Sequence, residues 1–306
     1  MILGNQRGVV LLLVLVVVAL LSALLSEFAF STLIDLRLSE TFRDTTRAEY
    51  LARGGITAGR MILQEDRNAY DAENDPVEFW SIGVQEYPLA EGAISVKIQD
   101  LDARLALNKL VDQQGNPSIV YRERFIRLCV ELALDNPEAL ADALIDWLDP
   151  DNETGPAGAE DADYLSLNPA YEATDGPLRS IDELRLIRGF DQETFARLSP
   201  FVSSYGSGLL NVNTAAPELL RSWDADTAAA VDPLLTRRAE GPYKTLDELR
   251  DTLGMESFTA MNRNLDLRVT SSYYLINSQG QVNDGARRMQ AIINKANDQL
   301  LWQKVN

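Results

Sequence analysis

The side chains whose types and spacing could do chemistry in this sequence are carboxylates. In Asp149-Pro150-Asp151-Asn152-Glu153-Thr154-Gly155 they stand at positions 1, 3 and 5, and Glu160 falls at position 12. That is the spacing at which a calcium loop presents its ligands. The match is partial: Thr154 stands where the loop glycine is expected, Pro156 occupies position 8, and Asn168-Pro169 leaves little room for a long exit helix. A true EF-hand is therefore excluded. Its physical content stays, namely several hard oxygen ligands close in sequence with no basic residue among them, which favours calcium over magnesium or zinc. The other reading of the same run is a solvated acidic loop.

Composition removes most other chemistry. The 306-residue chain has no histidine, so Ser-His-Asp and Cys-His catalysis and imidazole metal sites are unavailable. Its one cysteine, Cys129, can build neither an internal disulfide nor a thiolate zinc site and reads as a small buried hydrophobe. No carboxylate pair stands out as the acid and base of a glycosidase. The net charge of -18, from 28 basic and 46 acidic residues, opposes a broad nucleic-acid surface, which needs Lys and Arg to displace counterions. Thirteen of the acidic residues, and no Lys or Arg, lie between Leu128 and Leu178. The same window carries Trp147, Tyr164, Tyr171 and many leucines, so it reads as an ordered segment whose carboxylates need a counter-charge. A bound cation would supply it.

The elements that must hold these groups begin with an anchor. Val9 to Leu25 is an apolar run of seventeen residues, at the short limit of a bilayer span. It is longer than the core of a cleavable secretory signal, and no small-x-small cleavage site precedes a mature domain. Apolar positions from Phe28 to Ile62 extend the pattern, with no proline as far as Asp75. One helix of more than fifty residues is expected, membrane-embedded first and amphipathic later. Arg7 before the span and the acidic bulk after it place the N-terminus in the cytoplasm and the rest outside.

Alternation at Ile94, Val96 and Ile98, and again at Leu105 and Leu107, predicts two short strands around a turn at Asp100 to Ala103. Apolar spacings of three and four predict helices over Glu123 to Leu134 and Pro137 to Leu148. The run Ser180-Ile181-Asp182-Glu183-Leu184-Arg185 returns sixty-five residues later as Thr245-Leu246-Asp247-Glu248-Leu249-Arg250, and each copy opens like a capping box, which predicts two small helical units. Residues 209–249 resemble a helix-hairpin-helix unit, whose glycine-rich hairpin offers backbone N–H groups to a phosphate in DNA-binding proteins. Here the turn is Ser222-Trp223-Asp224-Ala225-Asp226, with two aspartates and no glycine, so a structural module and no nucleic-acid partner are expected. Strand character returns from Leu265 to Val282, with a turn at Ser278-Gln279-Gly280. Strands on both sides of a helical block imply one sheet interrupted by an insertion, from about Gln113 to Asn264.

The start of the chain carries a family resemblance. A short polar leader, Gly4-Asn5-Gln6-Arg7-Gly8, is followed directly by the apolar run, an arrangement similar to type IV pilins and pseudopilins, in which a prepilin peptidase cuts after the glycine and the new amine is methylated. Most members carry Glu at the fifth mature position; counted from Val9, this chain has Leu13. That departure resembles the K-type minor pseudopilins of the type II secretion system, the general secretion pathway protein K family. Together with the strands and the insertion, the resemblance covers nearly the whole chain. It implies an α+β fold: a pilin-like long N-terminal helix and a small antiparallel sheet, with a large all-helical insertion between strands. The implied division is a cleaved leader over residues 1–8, the helix over 9–66, the head over 67–112 and 265–306, and the insertion over 113–264. Processing falls between Gly8 and Val9.

K-type pseudopilins also carry a similar Asp-Trp-x-Asp-x-Asp followed by Gly-Ala-Glu-Asp, here Asp146, Trp147, Asp149 and Asp151, then Gly158, Ala159, Glu160 and Asp161, and bind calcium in the inserted domain. The ligands expected for a structural Ca2+ are Asp149, Asp151, Glu160 and Asp161 first, then Asp146, Glu153 and Asp163. The function implied is non-enzymatic: a single-pass inner-membrane protein with a periplasmic head that caps the pseudopilus tip, helps initiate assembly, and so serves export of folded proteins. The partners implied are the I, J and H types of minor pseudopilin, the major pseudopilin, the prepilin peptidase, the inner membrane and secreted substrates. The alternative reading is a membrane-tethered periplasmic calcium-dependent hydrolase or binding protein.

Overall fold

The computed structural model describes residues 6–73, 75–225 and 227–305. The start of the expected leader (residues 1–5), Asp226 of the hairpin turn and the terminal Asn306 lie outside the described residues. Helix α1 runs from Gln6 to Glu65. Its large apolar side chains from Val9 to Phe42 are exposed, whereas from Asp44 onward one face is buried through Ala48, Ala52, Ile56 and Leu63. The spacing of four between the first three keeps them on one side of the helix.

Helix α2 (Phe79–Ile82) leads into β1 (Val84–Leu89) and β2 (Gly92–Asp100), followed by the two-residue β3 (Leu105–Ala106). The insertion carries α3 (Ile119–Glu131), α4 (Pro137–Leu148), α5 (Asp161–Leu165), α6 (Gln192–Leu198), β4 (Val202–Ser203), β5 (Leu210–Asn211), α7 (Pro217–Ser222), α8 (Ala228–Glu240), α9 (Leu246–Met261) and β6 (Leu267–Arg268). The chain then returns to the sheet as β7 (Tyr273–Val282), β8 (Gly285–Asn294) and β9 (Gln299–Val305). The sheet is antiparallel, in the order β1-β2-β7-β8-β9. Strands β2 and β7 are therefore neighbours in space on either side of the insertion, and the protein is an α+β fold with a long helix packed on an antiparallel sheet. The helical block is not purely helical, because β3 pairs with β4 and β5 with β6 in short parallel ladders.

Two expected turns are corrected. The Asp100–Ala103 segment does not fold Leu105–Leu107 back onto β2: that flank is taken by β1, through a turn in which Ala90 has φ +54°, and Leu105 pairs with Val202. Asp100 and Asp102 are held by groups of the insertion and of the β7 approach, which carries the chain out of the sheet. Ser278-Gln279-Gly280 is not a turn either, since β7 runs straight through it and reverses at Asn283 (φ +49°). Gly280 serves close approach instead: a β-carbon there would lie 2.0 Å from the Ala48 carbonyl oxygen of α1. On the helix, Gly55 and Gly59 play the same part against Ser278 and Ile276.

Two apolar cores result. The smaller lies between α1 and the sheet and contains Ala52, Ile56, Leu63, Trp80, Val96, Ile98, Tyr274 and Ile276. The larger belongs to the insertion, runs from Leu105 to Val269 and is filled by Phe125, Trp147, Trp223 and Tyr243 among others. The internal repeat is real in three dimensions and longer than its opening run. Ser180 opens a 3-10 turn with the expected reciprocal box, Glu183 accepting the Ser180 N–H, whereas Thr245 accepts the Glu248 N–H but Glu248 reaches back to the Lys244 N–H instead of that of Thr245. Nine residues after each cap the backbone turns left-handed at a glycine, Gly189 (φ +90°) and Gly254 (φ +76°), a conformation that costs a side-chain-bearing residue more.

Candidate metal centre in the acidic loop

Helix α4 positions the first carboxylates. Asp142, Asp146 and Asp149 follow one another at spacings of four and three, so they share a face, and all three are buried. Asp142 is paired with Arg122 at 2.7 Å. Asp146 accepts the Gly155 N–H at 3.1 Å with either oxygen, which draws the loop back over the helix end. Gly158 lies on the same carboxylate, and only a residue without a β-carbon fits there. Beneath it an aromatic wall forms, with Trp147 edge-on to Tyr164 at 5.2 Å and Tyr164 stacked with Tyr171 at 5.4 Å.

Against this floor the structure brings Asp149 and Glu160 into the interior, 5% and 3% exposed. Among the described residues, neither Glu160 oxygen nor Asp149 Oδ1 has a well-formed hydrogen-bond partner. Burial, and then the charges of Asp151 and Asp146, push the Asp149 carboxyl up to about 7. Burial, and then Asp146 and Asp149, do the same to Glu160, also to about 7. Glu160, Asp161 and Asp175 each place one oxygen within 4.8 Å of the others. Asp161 is steadied there by the Ala173 N–H at 2.7 Å and Asn152 Nδ2 at 3.2 Å.

The remaining expected ligands behave differently. Asp151 is exposed and its Oδ1 accepts the Glu153 N–H at 2.8 Å, while Glu153 itself is exposed. Asp163 lies 3.3 Å from Arg188 and accepts the Glu160 N–H. Gly8 and Val9 sit in the opening turns of α1, and among the described residues nothing lies within 4 Å of a β-carbon added at Gly8. Two participants were not legible as such in sequence. Asp175 is the last acidic residue of the window without bases, and its position there is the only signal. Arg188, in the turn before Gly189, donates to the carbonyls of Ala157 and Gly158 and so ties down the loop from outside the acidic run.

Buried carboxylate oxygens from Asp149 and Glu160 without a well-formed partner, flanked by Asp161 and Asp175, fit a hard divalent cation with oxygen coordination, and calcium above magnesium because the donors are already buried away from water. A second carboxylate group, Asp66, Asp71 and Glu78, is as close-knit, but Lys295 Nζ stands 2.6 Å from Asp66 and 3.0 Å from Asp71 and serves as its cation. At the hairpin turn, Arg127 Nε donates to the Ser222 carbonyl at 3.0 Å and Arg124 Nε to the Trp223 carbonyl at 3.0 Å, so the turn is tied to α3.

Comparison with known proteins gives a consistent result. The family model described as type II secretion system (T2SS), protein K, matches in two parts, residues 103–207 and 210–268. The type II secretion system protein K of Klebsiella pneumoniae is 32% identical over 224 residues, covering 70% of this chain and 68% of that protein. That of Pseudomonas aeruginosa is 29% identical over 306 residues, covering 96% of this chain and 90% of that protein. Among solved structures, a chain of the GspK-GspI-GspJ complex from enterotoxigenic Escherichia coli shares the fold, with a TM-score of 0.68 at 22% identity over 90% of this chain and 99% of that one. The long apolar helix, the interrupted sheet and the inserted helical unit thus accompany a sequence match through the insertion itself, and the chain belongs to the type II secretion system protein K family.

Proposed function

We propose that this chain is a non-enzymatic minor pseudopilin that caps the tip of the type II secretion pseudopilus, helping to initiate its assembly and the export of folded periplasmic proteins. The observation that carries the reading is the state of α1. A bilayer core of about 30 Å takes about 20 helical residues, yet large apolar side chains stand exposed from Val9 through Phe42. Those beyond the lipid, such as Leu33, Leu36, Leu38 and Phe42, need protein neighbours. Further along, Gly54 faces outward with nothing within 4 Å of an added β-carbon. An interior helix glycine costs about 1 kcal/mol relative to alanine, and a closely approaching helix from another subunit accounts for it. The solved relative is found with GspI and GspJ; the corresponding I and J types, with the H type and the major pseudopilin, are the neighbours proposed here.

In the same reading the prepilin peptidase cuts between Gly8 and Val9, Val9 is methylated, and α1 anchors the chain in the inner membrane with its N-terminus cytoplasmic and its head periplasmic. The acidic loop holds calcium as a structural ion through Asp149, Glu160, Asp161 and Asp175. Leu13 and the bulk of the insertion support a place at the end of the filament. A carboxylate at the fifth mature position would be unpaired in an apolar bundle where no subunit lies ahead, and an insertion of this size obstructs a repeating shaft. Immunogold labelling of the head is expected to mark one end of overproduced pseudopili; label along the shaft overturns the tip assignment.

A further inference from the structure

Helix α1 covers one face of the five-stranded sheet, packing on Val96, Ile98, Ile276 and Ala291. Side chains alternate along a strand, so the residues between these form the opposite face. Its charges are Lys97 on β2, Arg288 on β8 and Lys304 on β9, all exposed. The sole acid in β2, β7, β8 and β9 is Asp100, which is buried. In a chain of net charge -18 this face is therefore basic. It is also lined with amides: Gln290 Nε2 donates to Asn277 Oδ1 at 2.7 Å and Asn277 Nδ2 to Gln99 Oε1 at 3.2 Å. The two ends of that ladder, the Gln290 oxygen and the Gln99 nitrogen, are left to accept and to donate.

Where the face runs under the insertion there is a crevice of about 180 Å3, lined among others by Arg104, Arg179, Asp182, Gln290, Ile292 and Trp302. Asp182 is its acid, and Lys304 Nζ stands 3.3 Å from it. Among the described residues the guanidiniums of Arg104 and Arg179 make no hydrogen bond and no ion pair within 4 Å. Asp100 and Glu73 attract Arg104 through space, but the Asp100 carboxylate already accepts from Thr214, Ser271, Asn211 and the Asp102 N–H. Glu183, the carboxylate next to Arg179, takes the Arg179 and Ser180 backbone N–H groups on one oxygen. Two planar guanidinium forks thus open on one crevice, and the group that matches such a fork is a carboxylate.

We propose that this sheet face is a docking surface for an acidic, extended segment of another protein, with one of its carboxylates seated in the crevice on Arg104 and Arg179. The amide ladder argues for a polypeptide over a phosphate, because a peptide backbone offers both N–H donors and C=O acceptors to Gln290 and Gln99, whereas phosphate oxygens only accept. Trp302 and Ile292 give the stem of an acidic side chain an apolar wall. The inference stands apart from the filament reading: label along the shaft would leave it untouched.

The test is fluorescence anisotropy of the full chain in non-ionic detergent at about 0.15 M salt. The probe is a short peptide of alternating glutamate and threonine bearing an uncharged dye, and its glutamine–threonine counterpart is the control. Saturable binding is expected for the acidic peptide alone. Arg104→Gln with Arg179→Gln is expected to weaken it roughly ten-fold or more, while Arg67→Gln with Arg250→Gln, the same change of charge away from this face, leaves it within about two-fold. No saturable binding, equal binding of the neutral peptide, or an equal loss in the Arg67 and Arg250 pair overturns the proposal. Inorganic phosphate that displaces the peptide at concentrations where acetate does not makes the crevice a phosphate site and overturns it too. Should Arg104→Gln fail to fold, Arg179→Gln with Lys97→Gln, both at exposed positions, must produce the loss; undiminished binding overturns the docking surface.

Discussion

Gly158 lies so close to the Asp146 carboxylate that a β-carbon on it would sit 1.8 Å from Oδ2. The contact folds the acidic loop back onto α4 and turns Glu160 inward two residues later. Gly158→Ala is expected to cost about 1–3 kcal/mol and to remove most of the response to calcium. Thermal unfolding with calcium and with EDTA checks it; a variant matching the wild type in both removes the close approach from the site's design.

The calcium response should depend on pH with a definite sign. Asp149 and Glu160 are both raised to about 7 in the metal-free protein, so metal-free stability falls as pH rises from the ordinary carboxylate range toward 7. Calcium takes the ionised form and displaces the protons, so its stabilisation, which scales as ln(1 + [L]/Kd), grows over the same interval. The melting temperature is expected to rise more on adding calcium at pH 8 than at pH 5.5, more with calcium than with magnesium, and to fall with EDTA. Absence of a calcium shift at pH 8 would favour the solvated-loop reading.

Glu160→Gln separates the ion from the fold. Removing a buried, unpartnered charge should raise the metal-free melting temperature at pH 8 while abolishing most of the calcium shift. A variant that is destabilised in EDTA yet still responds to calcium places the ion elsewhere.

Processing is read by mass. The membrane-extracted protein is expected to begin at Val9 with a methylated amine. An intact N-terminus, or a cut beyond Leu25, sinks the pseudopilin reading of the helix.

Two glycines on the helix–sheet unit should behave oppositely. Gly280→Ala drives a β-carbon into the Ala48 carbonyl and is expected to cost about 2–4 kcal/mol, measured by chemical denaturation. Gly54→Ala meets nothing and should add about 0.5–1 kcal/mol, whereas Gly54→Leu should keep the stability and lose co-purification with minor pseudopilins. Undiminished co-purification of Gly54→Leu would remove this face of α1 from the interface.

What the sequence determined by itself was whatever local signals carry. The apolar run from Val9 and its amphipathic continuation set α1, the three-and-four spacing set α4 and the existence of α3, which begins at Ile119, four residues before the expected Glu123, and ends at Glu131, and a window rich in acids and empty of bases marked the candidate carboxylate site, with Asp149, Glu160 and Asp161 named within it. The same local pattern mistook Ser278-Gln279-Gly280 for a turn, because a glycine required by a helix packed across the strand looks, along the chain, like a glycine required by a bend. Only the tertiary structure decided that β2 pairs with β1 and β7, that Asp175 joins Glu160 and Asp161 in one carboxylate cluster, and that Asp163 is occupied by Arg188. It also decided that Asp100, Asp102, Asn211 and Ser271 meet in one dry seam, since that meeting joins segments more than a hundred residues apart. Periodicity and capping act within a few residues and can be read from a single chain; burial, desolvation and charge repulsion arise only once distant segments exclude water from the same volume.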